Sequence, residues 1–535
     1  MTDLISVHHP AIEFVDKNHT KHQPILQGVN YSRAETVVAS SKSNNAINFS
    51  ITPPSNTAID RNINLRLKVK VTGVGATNVN KEAECVKLKE LRSYPLSNVI
   101  QNCNLTLNGT TMSHSVAELQ NGVQYVNNDI ETRRKNSKCP NMIPMLQSVD
   151  KDYLVQGVDT ASGVAGANYL GLNTHVVDDY VSSARDGTTG EFVLDLVEPL
   201  NMPILSKSLG HSLANVSQLD IQLTLTSLYN LFKNDGTLAS GIGGVNVSFS
   251  VEEASLQVLY YSINETIPDE IEMPFYNLVH FKQDLGAVVS NGTVGTKTLS
   301  NFKLNSVPEY VMVFASPTNS SKGSNLGINE TTLGIENVKL TINNNGNLLD
   351  TMSKENLWDI GVSNGLSMGY HQFKNQSSVF LARVNKDINV NDVIAGSNSL
   401  FNCQPTITFG NSLQDVSTTY EVHVVFLQPT RAVISENNCD LRIGYSNNDI
   451  VQAIDNDEHQ LSYSDLDLNN HHEILGGSLF GKVWKGLKKV YKTGKGVVDS
   501  DVGRFAIGQA ENLLGAGDIK IGGSAHTDMV HRKRF

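Results

Sequence analysis

The chain has 535 residues, 39% of them hydrophobic and only 18% charged, with a formal net charge of −11. That length exceeds what one hydrophobic core usually supports and predicts two or more domains. The near absence of long Glu-, Lys- and Ala-rich stretches before residue 478 excludes a helical body.

Charge is unevenly placed. Ser478 to the end holds eleven Lys and Arg against five Asp and Glu, a balance of +6 that leaves −17 on residues 1–477. An anionic partner, nucleic acid or membrane, would therefore meet the tail. Residues 1–45 read as a polar arm, and the stretch from Met1 to Asp16 carries acids and histidines without the apolar segment of a secretory signal.

From residue 46 onward, period-2 alternation dominates. Ile63, Leu65, Leu67, Val69 and Val71 alternate with polar residues, as do Leu219, Ile221, Leu223 and Leu225. Val245, Val247, Phe249 and Val251 repeat the pattern, and Tyr420, Val422, Val424 and Phe426 close it. Successive side chains point to opposite faces of a strand, so each segment buries one face and wets the other. That describes antiparallel sandwiches. Helical spacing is confined to short stretches near Ser115 to Asn128 and Lys354 to Ile360, and to the tail.

An internal repeat organises these strands. Ile100-Gln-Asn-Cys-Asn-Leu-Thr-Leu-Asn-Gly109 reads like Ile335-Glu-Asn-Val-Lys-Leu-Thr-Ile-Asn343, which continues to Gly346. Met112-Ser113 and Met352-Ser353 follow, each ahead of a short helical pattern, so one strand–turn–helix unit recurs in each half. The expected division is an arm at 1–45, a first sandwich at 46–264, a second at 265–432, an acidic Asn/Asp/His-rich linker at 433–477 and a basic tail at 478–535.

Two successive eight-stranded sandwiches, each with a helix-bearing loop, resemble the double-jelly-roll major capsid proteins of adenovirus-like and Polinton-like DNA viruses. The fold expected is all-β: two consecutive jelly rolls with short helical insertions and a basic amphipathic C-terminal helix. The resemblance implies a homotrimer of pseudo-hexagonal outline that tiles an icosahedral shell beside minor capsid proteins. It also implies localisation in the virion after synthesis in the host cytoplasm, with the nucleus a candidate place of assembly. Two other readings stay open: a non-capsid β-sandwich binding or adhesion protein, and a minor capsid or spike protein.

The tail carries a second resemblance. Ile474-Leu-Gly-Gly477 before Ser478, and Leu513-Leu-Gly-Ala516 before Gly517, are similar to the recognition sequences of adenovirus-type maturation proteases. Such sites are read as extended chain, where glycine lets backbone approach backbone. Between them, Phe480, Val483, Trp484, Leu487, Val490 and Tyr491 share one side of a helix, with Lys482, Lys485 and Lys488 mostly on the other. No acidic residue interrupts from Ser478 to Val498, which fits an interfacial amphipathic helix. A helix packed under the shell, or a basic arm on packaged nucleic acid, is the alternative.

Chemistry-bearing patterns are sparse. Gly365-Leu-Ser-Met-Gly369 matches the nucleophile-elbow spacing but lacks the strand before it and the parallel βα framework, so Ser367 is expected to be an ordinary loop residue. His8-His9 and His471-His472-Glu473 have no second cluster at ligand spacing. Asp455, Asp457 and Glu458 lack the calcium-loop pattern, and Gly292 to Thr298 lacks phosphate-loop spacing. Cys85, Cys103, Cys139, Cys403 and Cys439 form no CxxC pair, so neither a zinc site nor a disulfide framework is expected. No catalytic set, metal or cofactor is expected.

Overall fold

The computed structural model describes residues 14–16, 21–22, 32–88, 90–92, 94–126, 181–182, 186–205, 212–233, 245–263 and 267–444, except 327, 329, 344, 376, 391–394 and 415. Sixteen strands build two sandwiches of identical topology. The first contains β1 (Ser32–Val38), β2 (Ala46–Ile51), β3 (Asn64–Gly73), β4 (Ile100–Leu107), β5 (Thr110–His114), β6 (Phe192–Pro199), β7 (Leu219–Leu225) and β8 (Val247–Ser262). The second contains β9 (Glu270–Val288), β10 (Thr293–Thr298), β11 (Tyr310–Pro317), β12 (Ile335–Ile342), β13 (Asn345–Leu348), β14 (Phe380–Arg383), β15 (Phe401–Asn411) and β16 (Thr418–Ser435).

The first sandwich has sheets ordered β1-β8-β3-β6 and β2-β7-β4-β5; the second has β9-β16-β11-β14 and β10-β15-β12-β13. Adding eight to each strand number converts one order into the other. All these pairings are antiparallel. This is the double jelly roll that the resemblance implies, built from the antiparallel sandwiches that the alternation predicts.

The repeat marks equivalent strands. Ile100 opens β4 and Ile335 opens β12. Asn108 and Gly109 close the β4–β5 hairpin with φ of +44° and +88°, the left-handed pair that a two-residue turn requires. Asn343 takes the same conformation, φ +46°, after β12. The expected helices follow as α3 (Val116–Val123) and α5 (Lys354–Ser363), the latter capped by Ser353, whose side chain accepts from the Asn356 amide. Sequence periodicity did not disclose α1 (Asn78–Val86), α2 (Pro95–Val99), α4 (Asn319–Ser324) and α6 (Tyr370–Asn375), because three have six residues or fewer and α1 buries only Cys85.

Two expected boundaries shift. β1 lies within the segment expected to be an arm, yet it pairs with β8 from Ser255↔Val38 to Tyr261↔Ser32. Its residues are exposed or half-buried, as suits an edge strand, which explains its weak apolar signal. At the other end, Asn438–Ile443 pairs with β16 inside the expected linker and buries Cys439. A single inward side chain gives little periodicity to read.

The alternating strands bury one face as expected: Leu65, Leu67, Val69 and Val71 of β3 are inaccessible while Arg66, Lys68 and Lys70 are half-buried. The outward residues form cross-strand ion pairs, Arg66–Asp195 at 2.6 Å and Lys68–Glu253 at 2.6 Å. In the second core Phe426 meets Phe281, Phe302 and Phe401 at centroid distances of 6.0, 6.2 and 6.0 Å. Replacing Phe426 with Ala should destabilise the second sandwich by about 3–5 kcal/mol. Hydrogen exchange should show the loss concentrated in β9, β11 and β16, with β3 and β7 protected as before.

Candidate functional site at the junction of the sandwiches

β11 breaks the alternation: all eight of its residues are buried. Tyr310-Val-Met-Val-Phe-Ala315 reads as a continuous apolar run, the pattern of a strand covered on both faces. One face meets its own partner sheet. The other meets α3 of the first sandwich, whose Leu119 joins the second core together with Tyr125 just beyond the helix. Helix and sheet touch so closely at Gly122 that an added Cβ would lie 2.3 Å from Phe314 Cε1. Glycine is required there for close approach.

The Gly365–Gly369 segment belongs to this contact. Gly365, at φ +95°, turns the chain out of α5. The Ser367 amide then donates to Tyr125 O at 2.7 Å, and Leu366 bridges Val126. Trp358 Nε1 donates to Met368 O at 2.8 Å, fixing the far side of the loop. No strand leads into Ser367, so the elbow geometry is absent and the loop serves as a latch between halves.

A buried ionic patch also joins the two halves. Arg92, inaccessible to solvent, donates through Nη1 to Ile328 O at 2.6 Å and Glu330 Oε1 at 2.8 Å, and through Nη2 to Lys322 O at 3.3 Å. Lys322, also inaccessible, donates to Asn98 Oδ1 at 2.9 Å. Burial, and then the Arg92 charge, push its ammonium down to about 8. Asn108 spans the halves as well, donating to both Asn215 O and Ser435 O at 2.7 Å.

Beneath α3 runs a polar column. Ser316 Oγ lies 3.0 Å from His423 Nε2, His423 Nδ1 lies 3.0 Å from His280 Nε2, and His280 Nδ1 lies 3.7 Å from Glu118 Oε2. One tautomer set satisfies every partner: the Ser316 hydroxyl donates to His423, His423 Nδ1–H donates to His280, and His280 Nδ1–H faces the Glu118 carboxylate. Burial drives the His423 imidazole well below its usual range and His280 down to about 4, so both rings are neutral near pH 7. Lys282 Nζ holds Glu118 Oε1 at 2.7 Å and reaches Glu421 at 3.6 Å.

Ser316 is only 2% exposed, so the serine–histidine contact is closed to any substrate. Cys103 and Cys403 are buried free thiols, each pushed up to about 12 by burial, and are unsuited to nucleophilic or redox work. Among the described residues, no helix is long and apolar enough to cross a membrane.

Several residues singled out in the sequence lie outside the described residues. These are the cleavage-type positions Gly477, Ser478, Ala516 and Gly517, the helix residues from Phe480 to Tyr491, and His8, His9, His471, His472, Asp455, Asp457 and Glu458. Sequence reading missed His280, His423 and Glu118, because no spacing unites positions brought together only by pairing of β9 with β16 and docking of α3.

Lys322 sets a pH dependence. Its folded-state pKa lies below the unfolded value of 10.5, so unfolding takes up a proton between about pH 8 and 10.5. The cost of the buried charge is full below pH 8 and is relieved as pH rises through that window, by roughly 3 kcal/mol at most. Urea midpoints of the wild type should therefore gain on those of Lys322→Met between pH 8 and 10.5. Parallel curves would show that Lys322 keeps an ordinary pKa.

Comparison with known proteins agrees with this architecture. Residues 278–428 match the family model of the major capsid protein V20 C-terminal domain. The putative capsid protein V20 of Sputnik virophage is 22% identical over 533 positions, covering 91% of this chain and 86% of the relative. The fold of this chain is shared with a chain in the cryo-EM structure of Sputnik virophage (TM-score 0.65, 18% identity, 84% of this chain and 95% of that one). The mavirus major capsid protein is similar too (TM-score 0.56, 14% identity, 78% and 92%). The chain is thus similar in sequence to virophage capsid proteins and shares their double-jelly-roll fold.

Proposed function

We propose that the chain is the major capsid subunit of an icosahedral virion and assembles through trimers. The observation that carries this reading is the pair of sandwiches with one topology in one chain. Three such chains present six similar barrels, which approximates hexagonal packing with a threefold molecule. The latch, the Arg92 patch and α3 hold the two barrels together, as a lattice tile requires.

The same reading divides the chain into an N-terminal arm, two jelly rolls, an acidic linker and a basic tail. The arm joins the first sheet at β1, and the linker follows the strand paired with β16. Minor capsid proteins are further partners. The tail, from Ser478, acts on membrane lipid or on internal nucleic acid after cleavage by a maturation protease beside Gly477 and Ala516. Support comes from composition: lysines on one helical side each contribute roughly 1 kcal/mol near an anionic surface, and Trp484 and Phe480 suit the interface.

Native mass measurement and negative-stain microscopy of the purified protein should show trimers of hexagonal outline. A mass of one chain at all concentrations would exclude the assembly. A peptide spanning 478–498 should become helical on anionic vesicles and make them leak, and Trp484→Glu should abolish leakage. An inert peptide would leave the tail a genome-binding or packing arm.

A further inference from the structure

The column beneath α3 has a composition that the capsid role does not require. We propose that His280, His423 and Glu118 form a binding site for one divalent transition-metal ion of the zinc class, which fastens α3 of the first sandwich to the β9–β16 sheet of the second.

The register places the ligands. In the antiparallel pair, His280 opposes Val425 and Lys282 opposes His423, so the two histidines are diagonal neighbours on the face that α3 covers. Their facing nitrogens are 3.0 Å apart, and one ligand atom from each of the three residues lies within 4.8 Å of the others. Ligands at about 2.0–2.1 Å around a tetrahedral ion stand roughly 3.4 Å from one another. The histidine pair is already near that separation, and the Glu118 carboxylate, which now meets the other nitrogen of His280, must swing toward the pair, inside the 4.8 Å span that encloses all three ligand atoms. Ser316 on the second nitrogen of His423 orients that ring, the usual outer support of a metal-bound imidazole.

Two imidazoles and one carboxylate select zinc, cobalt or nickel over calcium or magnesium, which take oxygen ligands. The competing charge is Lys282, now paired with Glu118. Its side chain is 48% exposed and Glu421 lies within 3.6 Å, so it can move to that carboxylate when an ion takes Glu118. Lys322, buried nearby, opposes a cation, while Glu421 and Asp284 favour one. With Glu118 ionised, an ion of charge +2 leaves the site at +1.

The test uses the full chain, stripped with a chelator and titrated with Co²⁺ and Zn²⁺. Wild type should take up one more ion per chain than His280→Gln, with visible Co²⁺ bands of nitrogen–oxygen coordination that His280→Gln lacks. Zn²⁺ should raise the melting temperature of wild type and not of His280→Gln. Glu118→Gln should weaken binding at least tenfold, and Lys282→Met, which frees Glu118, should tighten it. Comparison with His280→Gln separates this site from the histidines at positions 8, 9, 471 and 472. Equal uptake by wild type and His280→Gln, or a melting temperature indifferent to Zn²⁺, would overturn the assignment. His423→Gln is a poorer probe, because His423 is buried and its loss would disturb the sheet itself.

Discussion

The long antiparallel ribbon of β9 and β16 is the constraint on which the rest of the molecule depends. It pairs without interruption of direction from Glu270↔Ser435 to Val288↔Thr418, with one bulge between Asp284 and Gly286. Its two ends serve different cores. Met273, Phe275, Ala432 and Ile434 pack in the core of the first sandwich, while Val288, Tyr420, Val422, Val424 and Phe426 pack in that of the second. A rotation of one sandwich against the other would therefore have to bend a hydrogen-bonded ribbon and expose apolar residues at both ends.

That tie explains the burial of β11 and β16. A sheet in a free-standing sandwich covers one face only. Here the outer face of β9-β16-β11 is closed by α3, and the surfaces trapped between them had to be apolar, small or fully partnered. Phe314 meets Gly122, where a Cβ cannot fit. Arg92 and Glu330 meet at 2.8 Å with almost no exposure. Such a pair contributes modest net stability because desolvation offsets attraction, but removing one partner leaves a buried charge and costs about 3–5 kcal/mol. The junction thereby disfavours misaligned docking more than it strengthens correct docking.

The two halves share a strand order but not their loops. The hairpin-and-helix unit after β4 and after β12 keeps its Asn turn and its helix, yet the helices do different work. α3 leaves its own sandwich to cover the neighbour, whereas α5 stays on the second sandwich and ends in the loop that receives the chain beyond α3. The matching units of the two halves thus both take part in the contact between them.

Local sequence determined the parts whose physics is local. Alternation in Leu65–Val71, Leu219–Leu225 and Tyr420–Phe426 marked β3, β7 and β16, because one buried face per strand imposes a period of two. The match of Ile100–Gly109 with Ile335–Asn343 marked equivalent hairpins, because left-handed turn positions favour Asn and Gly. Edge strands such as β1 escaped notice, since an exposed strand has no apolar period. Tertiary structure alone decided the junction. His280 and His423 are 143 residues apart and Arg92 and Glu330 are 238 apart, so no spacing rule could join them. They meet because strand pairing and helix docking are long-range events, set by which faces must leave water together.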